Sequence, residues 1–377
     1  MEAASSIQLW ALDPSIVHIN HGSFGGCLRS VLDHANTVRA RLESAPMKFF
    51  VLEWQDEIDR ARAALARFVG ADPAHLVFVP SATAGVAHAL AAVPLAAGDE
   101  IVMTSHAYAA CRYQLERLAA SRGVRLVTVE VPLPFDADQL VERTRAAITP
   151  RTRLAVFDHV TSPTAIVFPL ARLLALCAGF PTIVDGAHAP GQIALDVGAL
   201  GATYYVGNNH KWLCAPKASG FLVARGPLAP LVTSHGANPG HGPANRLHAE
   251  LDWSGSYDPA AQLAVAAAIE HVGAEGGGWP AIYERNHALA LELRARLGGT
   301  PLAPAEGIGT MAALRLELPP NTRPLALEKR LLADGWEVPI VDFADGPLVR
   351  VSAHLYNRAA DADALARKLH EVGARVV

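Results

Sequence analysis

The sequence predicts an α/β protein, with a mostly parallel sheet covered by helices on both faces and a smaller α+β domain after it. Three observations carry this reading. From residue 76 to residue 224, short apolar runs rich in β-branched residues alternate with helical stretches, the pattern of a parallel sheet buried on both sides. Polar residues stop two of the central runs, an acid at Asp185 and a lysine at Lys211, and open parallel sheets bind ligands beyond such strand ends. Past residue 263, shorter strands and helices form a second pattern, and a chain of 377 residues is long enough for both units.

The N-terminus, MEAASSIQLWALD, lacks a basic region and a long apolar core, so no signal peptide is expected. Residues 18–29 gather Gly22, Gly25 and Gly26 around Ser23 and Phe24. They read as a loop, by default a surface turn, whose glycines let backbone approach a ligand closely. A helix over 30–43 follows, then one over 55–69 with Ile58, Ala61, Leu65 and Phe68 on one face. Asp72-Pro73 ends it, and 76–79 is a strand. Ser81, Ala82, Thr83 and Ala84 then lead into an Ala/Leu helix. Strand, small polar residues and helix together present free amides and a positive dipole end, which suits a phosphate or a simple cap.

The spacing next predicts a strand over 100–104, with His106 and Tyr108 just past its end, a strand over 124–131 and a helix over 138–149. A buried strand over 153–160 runs into Asp158-His159-Val160-Thr161-Ser162-Pro163, where Ser-Pro forces a turn. Residues 182–184 form a strand closed by Asp185. Residues 202–206 form another, followed by Gly207-Asn208-Asn209-His210-Lys211. After a strand over 219–224 comes a loop rich in Gly, His and Asn, over 234–252. Helices are expected over 260–272 and 279–297. The small domain has strands over 311–318 and 347–352 and helices over 324–334 and 360–371. In it Arg350 stands among apolar strand residues, and a buried arginine needs a carboxylate from the protein or from a substrate.

Composition narrows the function classes. Net charge is −4, hydrophobic content 51% and charged content 18%, which gives no electrostatic case for nucleic acid or an anionic membrane. The Ala-rich stretch 82–97 carries His88 and Pro94 and is too short to cross a bilayer. The four cysteines, Cys27, Cys111, Cys177 and Cys214, form no CxxC pair. They read as reduced thiols of a cytoplasmic protein, with no metal site.

A lysine and an aspartate at two strand ends suit one chemistry in particular. An amine forms a Schiff base with an aldehyde, and a carboxylate keeps a protonated pyridine electron-poor. Together they fit pyridoxal 5'-phosphate (PLP). Alone, Lys211 would read as a surface lysine and Asp185 as a helix cap; flanked by two histidines and two asparagines, they read as a cofactor site.

The chain resembles the class V aminotransferase family of PLP-dependent, fold type I enzymes, and within it the isopenicillin N epimerase-like group. The resemblance runs from Asn20-His21-Gly22-Ser23-Phe24-Gly25 to Arg350-Val351-Ser352-Ala353-His354. Its most specific pieces are the segments 158–164, 185–191 and 207–212. It implies a large domain (31–262) with a mostly parallel seven-stranded sheet, a small C-terminal domain (263–377) and an N-terminal arm (1–30) packing toward the active site. Lys211 would be the Schiff-base lysine and proton carrier, with Asp185 on the pyridine nitrogen and His188 near the ring hydroxyl. Ala82, Thr83 and Ala84 would hold the phosphate with Asn208 and His210, and Ser162 would also contact the cofactor. Tyr108 would stack on the ring, with His106 the alternative. Arg350 would clamp the substrate carboxylate, with Asn20, Gly22 and Ser23 beside it. Gly255 and Ser256 would reach a neighbour's phosphate in a homodimer with shared active sites.

No cysteine lies between Glu337 and Leu348, where desulfurases of the family carry their nucleophile, so persulfide chemistry is not expected. The resemblance implies action at the Cα of an amino acid, epimerase-like, with Tyr108 or His106 as second acid. C–S lyase chemistry and transamination are the alternatives, and a non-catalytic binding protein a third class. The segments 234–252 and 46–50 are expected to line the side-chain pocket.

Overall fold

The computed structural model describes residues 7–238, 240 and 242–377. Residues 1–6 of the expected N-terminal arm, and Pro239 and His241 of the 234–252 loop, lie outside the described residues.

The first strand among the described residues, β1 (Val17–His18), has two residues. Seven strands then build the central sheet: β2 (Leu76–Val79), β3 (Glu100–Thr104), β4 (Arg125–Val129), β5 (Thr152–Asp158), β6 (Thr182–Asp185), β7 (Tyr204–Asn208) and β8 (Gly220–Ala224). Their order is β2-β8-β7-β6-β5-β3-β4. β3, β4, β5, β6 and β7 are mutually parallel, while β8 runs antiparallel to both neighbours, β7 and β2. Two reversals return β2 to the common direction, so six of the seven strands end on the same side.

Alternation along each strand feeds two different cores. Leu76 and Phe78 pack into one cluster with Val102, Phe157, Val184 and Tyr205. Val77 and Val79 pack into the other with Ile101, Met103, Ile183 and Val206. The helix Trp54–Val69 covers the first face with Ile58 and Leu65, and Ala82–Ala92 covers the second with Val86 and Leu90.

The C-terminal part holds β9 (Met311–Glu317), β10 (Trp336–Glu337), β11 (Ile340–Val341), β12 (Leu348–Ser352) and β13 (Arg375–Val376). Four of these form an antiparallel sheet in the order β11-β12-β9-β13. Helices Trp279–Leu297, Pro324–Ala333 and Ala360–Glu371 accompany it. β10 pairs instead with β1, in parallel, through Val17 with Trp336 and His18 with Glu337. The N-terminal segment is thereby stitched to the C-terminal unit.

Three local expectations change. The helix expected over 260–272 is two pieces, Ala260–Leu263 and Val265–Glu275, joined at Ala264. Ala202 and Thr203 lie outside β7, which starts at Tyr204 and keeps Gly207 and Asn208 inside the strand. The glycine-rich segment near residue 22 is no surface turn. It contains one helical turn, His21–Phe24, with His21 and Gly22 buried. A Cβ on Gly22 would fall 2.5 Å from Met311 Sδ, and one on Gly25 2.3 Å from the His210 carbonyl oxygen. Glycine is present because the turn is pressed into the protein, not because it is loose.

Candidate active site

The common strand direction brings several polar residues to one rim. β5 and β6 end on Asp158 and Asp185, which are direct neighbours in register. β7 ends on Asn208, and His210 and Lys211 follow. β2 ends just before Ser81, and Tyr108 follows β3. A cavity of about 140 Å³ opens among them, and Asp158, Asp185, His188, His210, Lys211 and Tyr108 are on its wall.

At the floor, Lys211 Nζ lies 3.0 Å from His188 Nε2. Burial pulls the Lys211 amine down to about 8, against the attraction of Asp185 and with the added repulsion of Arg350. Burial likewise keeps His188 neutral, far below the ordinary histidine range, with Lys211 and Arg350 pushing the same way. Trp212 Nε1–H donates to His188 Nδ1 at 3.4 Å. The ring proton therefore sits on Nε2 and points at the lysine, which accepts it in its free-amine form.

Asp185 accepts the Ala187 amide at 3.0 Å and the Cys111 thiol at 3.1 Å. No ion pair to it is formed among the described residues. It is a buried carboxylate with capacity left for a positively charged ring nitrogen.

The helix Ala82–Ala92 points its N-terminus at the same cavity. Ser81 caps it through the Ala84 amide at 3.3 Å, and Asn208 Oδ1 accepts the Ala82 amide at 2.8 Å. Among the described residues this leaves the Thr83 amide without a protein acceptor, at a positive dipole end. His210 donates Nδ1–H to the Ser219 carbonyl at 2.8 Å, and burial lowers it to about 4. An amine, an unpaired carboxylate and an open helix N-terminus around one cavity are the donor set that PLP requires, so the residues present fit it.

Arg350 enters from β12 and is buried. Nη1 donates to the carbonyl and hydroxyl oxygens of Ser162, and Nη2 to Ser23 Oγ at 2.9 Å and Asn20 Oδ1 at 3.3 Å. Its Nε has no partner among the described residues. All of these acceptors are neutral, and no carboxylate lies within ion-pair distance among the described residues. Burial lowers its value to about 10. The internal ion pair, one of the two expectations for Arg350, is thus not formed among the described residues. Beside Arg350 a second cavity of about 630 Å³ shares Ser23, Tyr108 and Ser162 with the first and runs out past Arg112, Asp342 and Phe343.

Some candidates lie elsewhere. His106 is buried with Nδ1 2.9 Å from Thr164 Oγ1 and its ring edge-on to Phe343, and it lines neither cavity. Gly22 donates its amide to Ser352 Oγ at 3.1 Å, away from the cavity. The Ala84 amide is spent on the Ser81 cap. Gly255 and Ser256 are on a loop that reaches neither cavity in this chain. Phe50 and residues of the 234–252 loop line a separate space of about 460 Å³ with Trp54 and Trp253. Within one chain, the side-chain room near Arg350 comes instead from the stretches 103–116, 126–128 and 339–344.

Two residues gain roles that composition did not suggest. Asp158 is buried against Asp185, and burial together with that neighbour pushes its carboxyl well above the ordinary value. Its position at the end of β5 obeys the same strand-end logic that singled out Asp185. Cys111 supports Asp185 from helix Ala109–Arg122, and burial first, then Asp185, pushes its thiol far up.

The profile of the family described as aminotransferase class-V matches residues 30–306. The chain is similar to isopenicillin N epimerase of Amycolatopsis lactamdurans, 38% identical over 96% of each chain. It is also similar to isopenicillin N epimerase of Streptomyces clavuligerus, 35% identical over 95% of each. A putative L-cysteine desulfhydrase of Oryza sativa subsp. japonica is 34% identical over 81% of this chain and 68% of its own. Among solved structures, the cystine C–S lyase C-DES in complex with cysteine persulfide superposes with a TM-score of 0.82 at 21% identity, covering 94% of this chain and 97% of that one. A C-DES mutant with glycine covalently linked to its PLP cofactor gives 0.80 at 20% identity, over 94% and 96%. These likenesses show the fold type I architecture.

Proposed function

Because this chain belongs to the aminotransferase class-V family, a family of PLP-dependent enzymes, we propose that it acts at the Cα of an α-amino acid as an epimerase. PLP is its cofactor. When bound, PLP supplies an aldehyde that engages the substrate amine and an electron-poor ring that takes up the charge left at Cα.

The residues divide the remaining work. The Thr83 amide and its helix end would hold the phosphate, with Asn208 and His210 beside them. Asp185 would face the ring nitrogen, His188 and Ser162 the ring substituents, and Tyr108 the ring plane. Arg350 grips the substrate carboxylate, backed by Ser23 and Asn20, and fixes which bond at Cα faces Lys211. Lys211, at about 8, is partly free amine near neutral pH and takes the Cα proton. Inversion needs a proton returned from the opposite side. Tyr108, 42% exposed at the mouth of both cavities, is the residue assigned to hold it, in place of the sequestered His106.

Arg350 carries the reading: a buried guanidinium with no carboxylate at ion-pair distance among the described residues, beside the Lys211 cavity, asks for a substrate carboxylate. Near-full-length likeness to two isopenicillin N epimerases supports epimerisation, and so does the room past Arg350, which exceeds what cysteine would fill. The desulfhydrase likeness supports C–S lyase chemistry as the second reading. Purified protein given amino acids in deuterated water separates them. Deuterium at Cα with inverted product supports the epimerase; pyruvate and ammonia from cysteine or its conjugates support the lyase and overturn it. A colourless protein that neither binds PLP nor reacts with borohydride would leave a binding protein.

The same reading takes residues 31–262 as the cofactor domain, 263–377 as the small domain and 1–30 as the arm. It includes a homodimer in which Gly255 and Ser256 of a second copy reach this cavity, tested by solution mass and by cofactor affinity in Ser256→Ala. Four unpaired cysteines fit a cytoplasmic location, and no helix among the described residues is long and apolar enough to cross a membrane.

A further inference from the structure

Beneath Lys211, on the side away from the cavity, His21 and His354 stack face to face, with ring centroids 3.8 Å apart and planes 9° apart. Cys214 Sγ lies 3.6 Å from Nε2 of each ring. All three donor atoms fall within 4.8 Å of one another. A metal centre is the first chemistry this set suggests, and the geometry argues against it. Parallel rings hold their lone pairs in parallel planes, which do not meet at one ion, and one lone pair is already committed. The Gly26 amide donates to His21 Nδ1 at 3.3 Å, and the Tyr356 hydroxyl lies 2.8 Å from the same nitrogen. The ring proton of neutral His21 therefore sits on Nε2, 3.2 Å from the Lys211 carbonyl oxygen, and donates to it.

The turn that carries His21 also touches the other end of the site. Two residues on, Ser23 Oγ accepts from Arg350 Nη2 at 2.9 Å and donates to Asn20 Oδ1 at 2.7 Å. Gly25, at φ +72°, lies so close that an added Cβ would stand 2.7 Å from the Lys211 carbonyl oxygen. Behind the turn, the Gly22 amide is fixed to Ser352 on β12, two residues from Arg350. One helical turn thus grips the backbone of the lysine from the large sheet and the guanidinium from the small one.

We propose that His21 is a positioning residue. Through its Nε2–H bond to the Lys211 carbonyl, it fixes the lysine relative to the Arg350 carboxylate clamp, and so aims the lysine amine at the substrate Cα. The inference rests on the function proposed above. It assigns His21 no contact with substrate or cofactor. Burial holds His21 at about 3, so it remains a neutral donor throughout the working range.

Two substitutions of similar polarity separate this role from simple packing. In His21→Gln the side-chain amide can replace the Nε2–H donor. In His21→Asn it replaces the Nδ1 side and leaves the Lys211 carbonyl without its side-chain donor, with only the Cys214 amide at 3.0 Å still bonded to it. Three readouts are taken on the PLP-loaded full chain: deuterium exchange at Cα, affinity for a non-reacting carboxylate, and the pH midpoint of the visible band, which reports the lysine without turnover. Gln is expected within about threefold of wild type in all three. Asn is expected to lose tenfold or more in exchange and to shift the midpoint by half a unit or more, with carboxylate affinity within twofold. Tyr356→Phe, which leaves the donor in place, should follow Gln.

Equal behaviour of Gln and Asn in exchange and midpoint, or the reverse order, overturns the proposal. So does stoichiometric zinc in wild type that His21→Gln loses. If wild type itself exchanges no amino acid, the proposed function fails while the midpoints still decide the role of His21.

Discussion

Lys211 and Arg350 are the two residues whose loss reads out most directly. Lys211→Ala should lower Cα exchange by at least about a thousandfold while leaving the thermal midpoint of the cofactor-free chain near wild type, checked by deuterium incorporation and calorimetry. Arg350→Lys keeps the charge and loses the planar fork, so KM for the amino acid should rise about tenfold or more with a smaller change in kcat. For pH, the acting form of Lys211 is the free amine, and its value is lowered to about 8. Cα exchange should therefore climb as pH rises toward 8 and level off above it; a profile flat from pH 6 to pH 9 would remove Lys211 as the base. Lys211 was legible as a charged group just past the end of a buried strand, and Arg350 as a guanidinium amid the apolar residues of another. Asp158 was equally placed but gave no such signal, since its meaning depends on Asp185 standing next to it across β5 and β6. Ser23 and Asn20 are named beside Arg350 by the resemblance, but the contact of Ser162 with the same guanidinium could not be read, because it comes from a segment far away in the chain.

At the scale of elements, the cofactor end depends on a helix terminus and a close-packed turn. Ser81→Ala removes the cap of helix Ala82–Ala92 and should cost about 1 kcal/mol by denaturant unfolding, with weaker PLP binding because the proposed phosphate site at Thr83 lies on the same first turn. Gly25→Ala meets a left-handed backbone and two carbonyl oxygens at once. It should cost more than about 2 kcal/mol, whereas Gly98→Ala, also at positive φ but with open space around it, should cost about 1 kcal/mol. Most strands and long helices were legible from period and punctuation; the helix Trp279–Leu297 matches its expected bounds. The turn His21–Phe24 was not. Gly, Ser and His in short order are the composition of a solvent-facing loop, and nothing local reveals that β9, β12 and Lys211 close over it. The direction of β8 was also hidden, because a strand buried on both faces shows the same apolar run whichever way it points.

Across the whole molecule, burial has collected neutral histidines. His21 is lowered to about 3, and His106, His159 and His210 to about 4, in each case first by burial. The unfolded chain binds protons at these sites below about 6.5, while the folded chain does not until near 4 or 3. Folding stability is thus full above pH 6.5 and lost as pH falls through that window, by up to about 1.4 kcal/mol per pH unit for each site. Urea titrations at pH 7 and pH 5 should show a marked drop, and equal midpoints would contradict the buried neutral state. Arg350 carries a different consequence. A guanidinium hydrogen-bonded only to neutral oxygens among the described residues, with its Nε–H unanswered there, is a standing trap for small organic anions. Acetate, citrate or a keto acid in the medium should compete with the amino acid there, so turnover measured in carboxylate buffers will understate what the same protein does in Tris or HEPES.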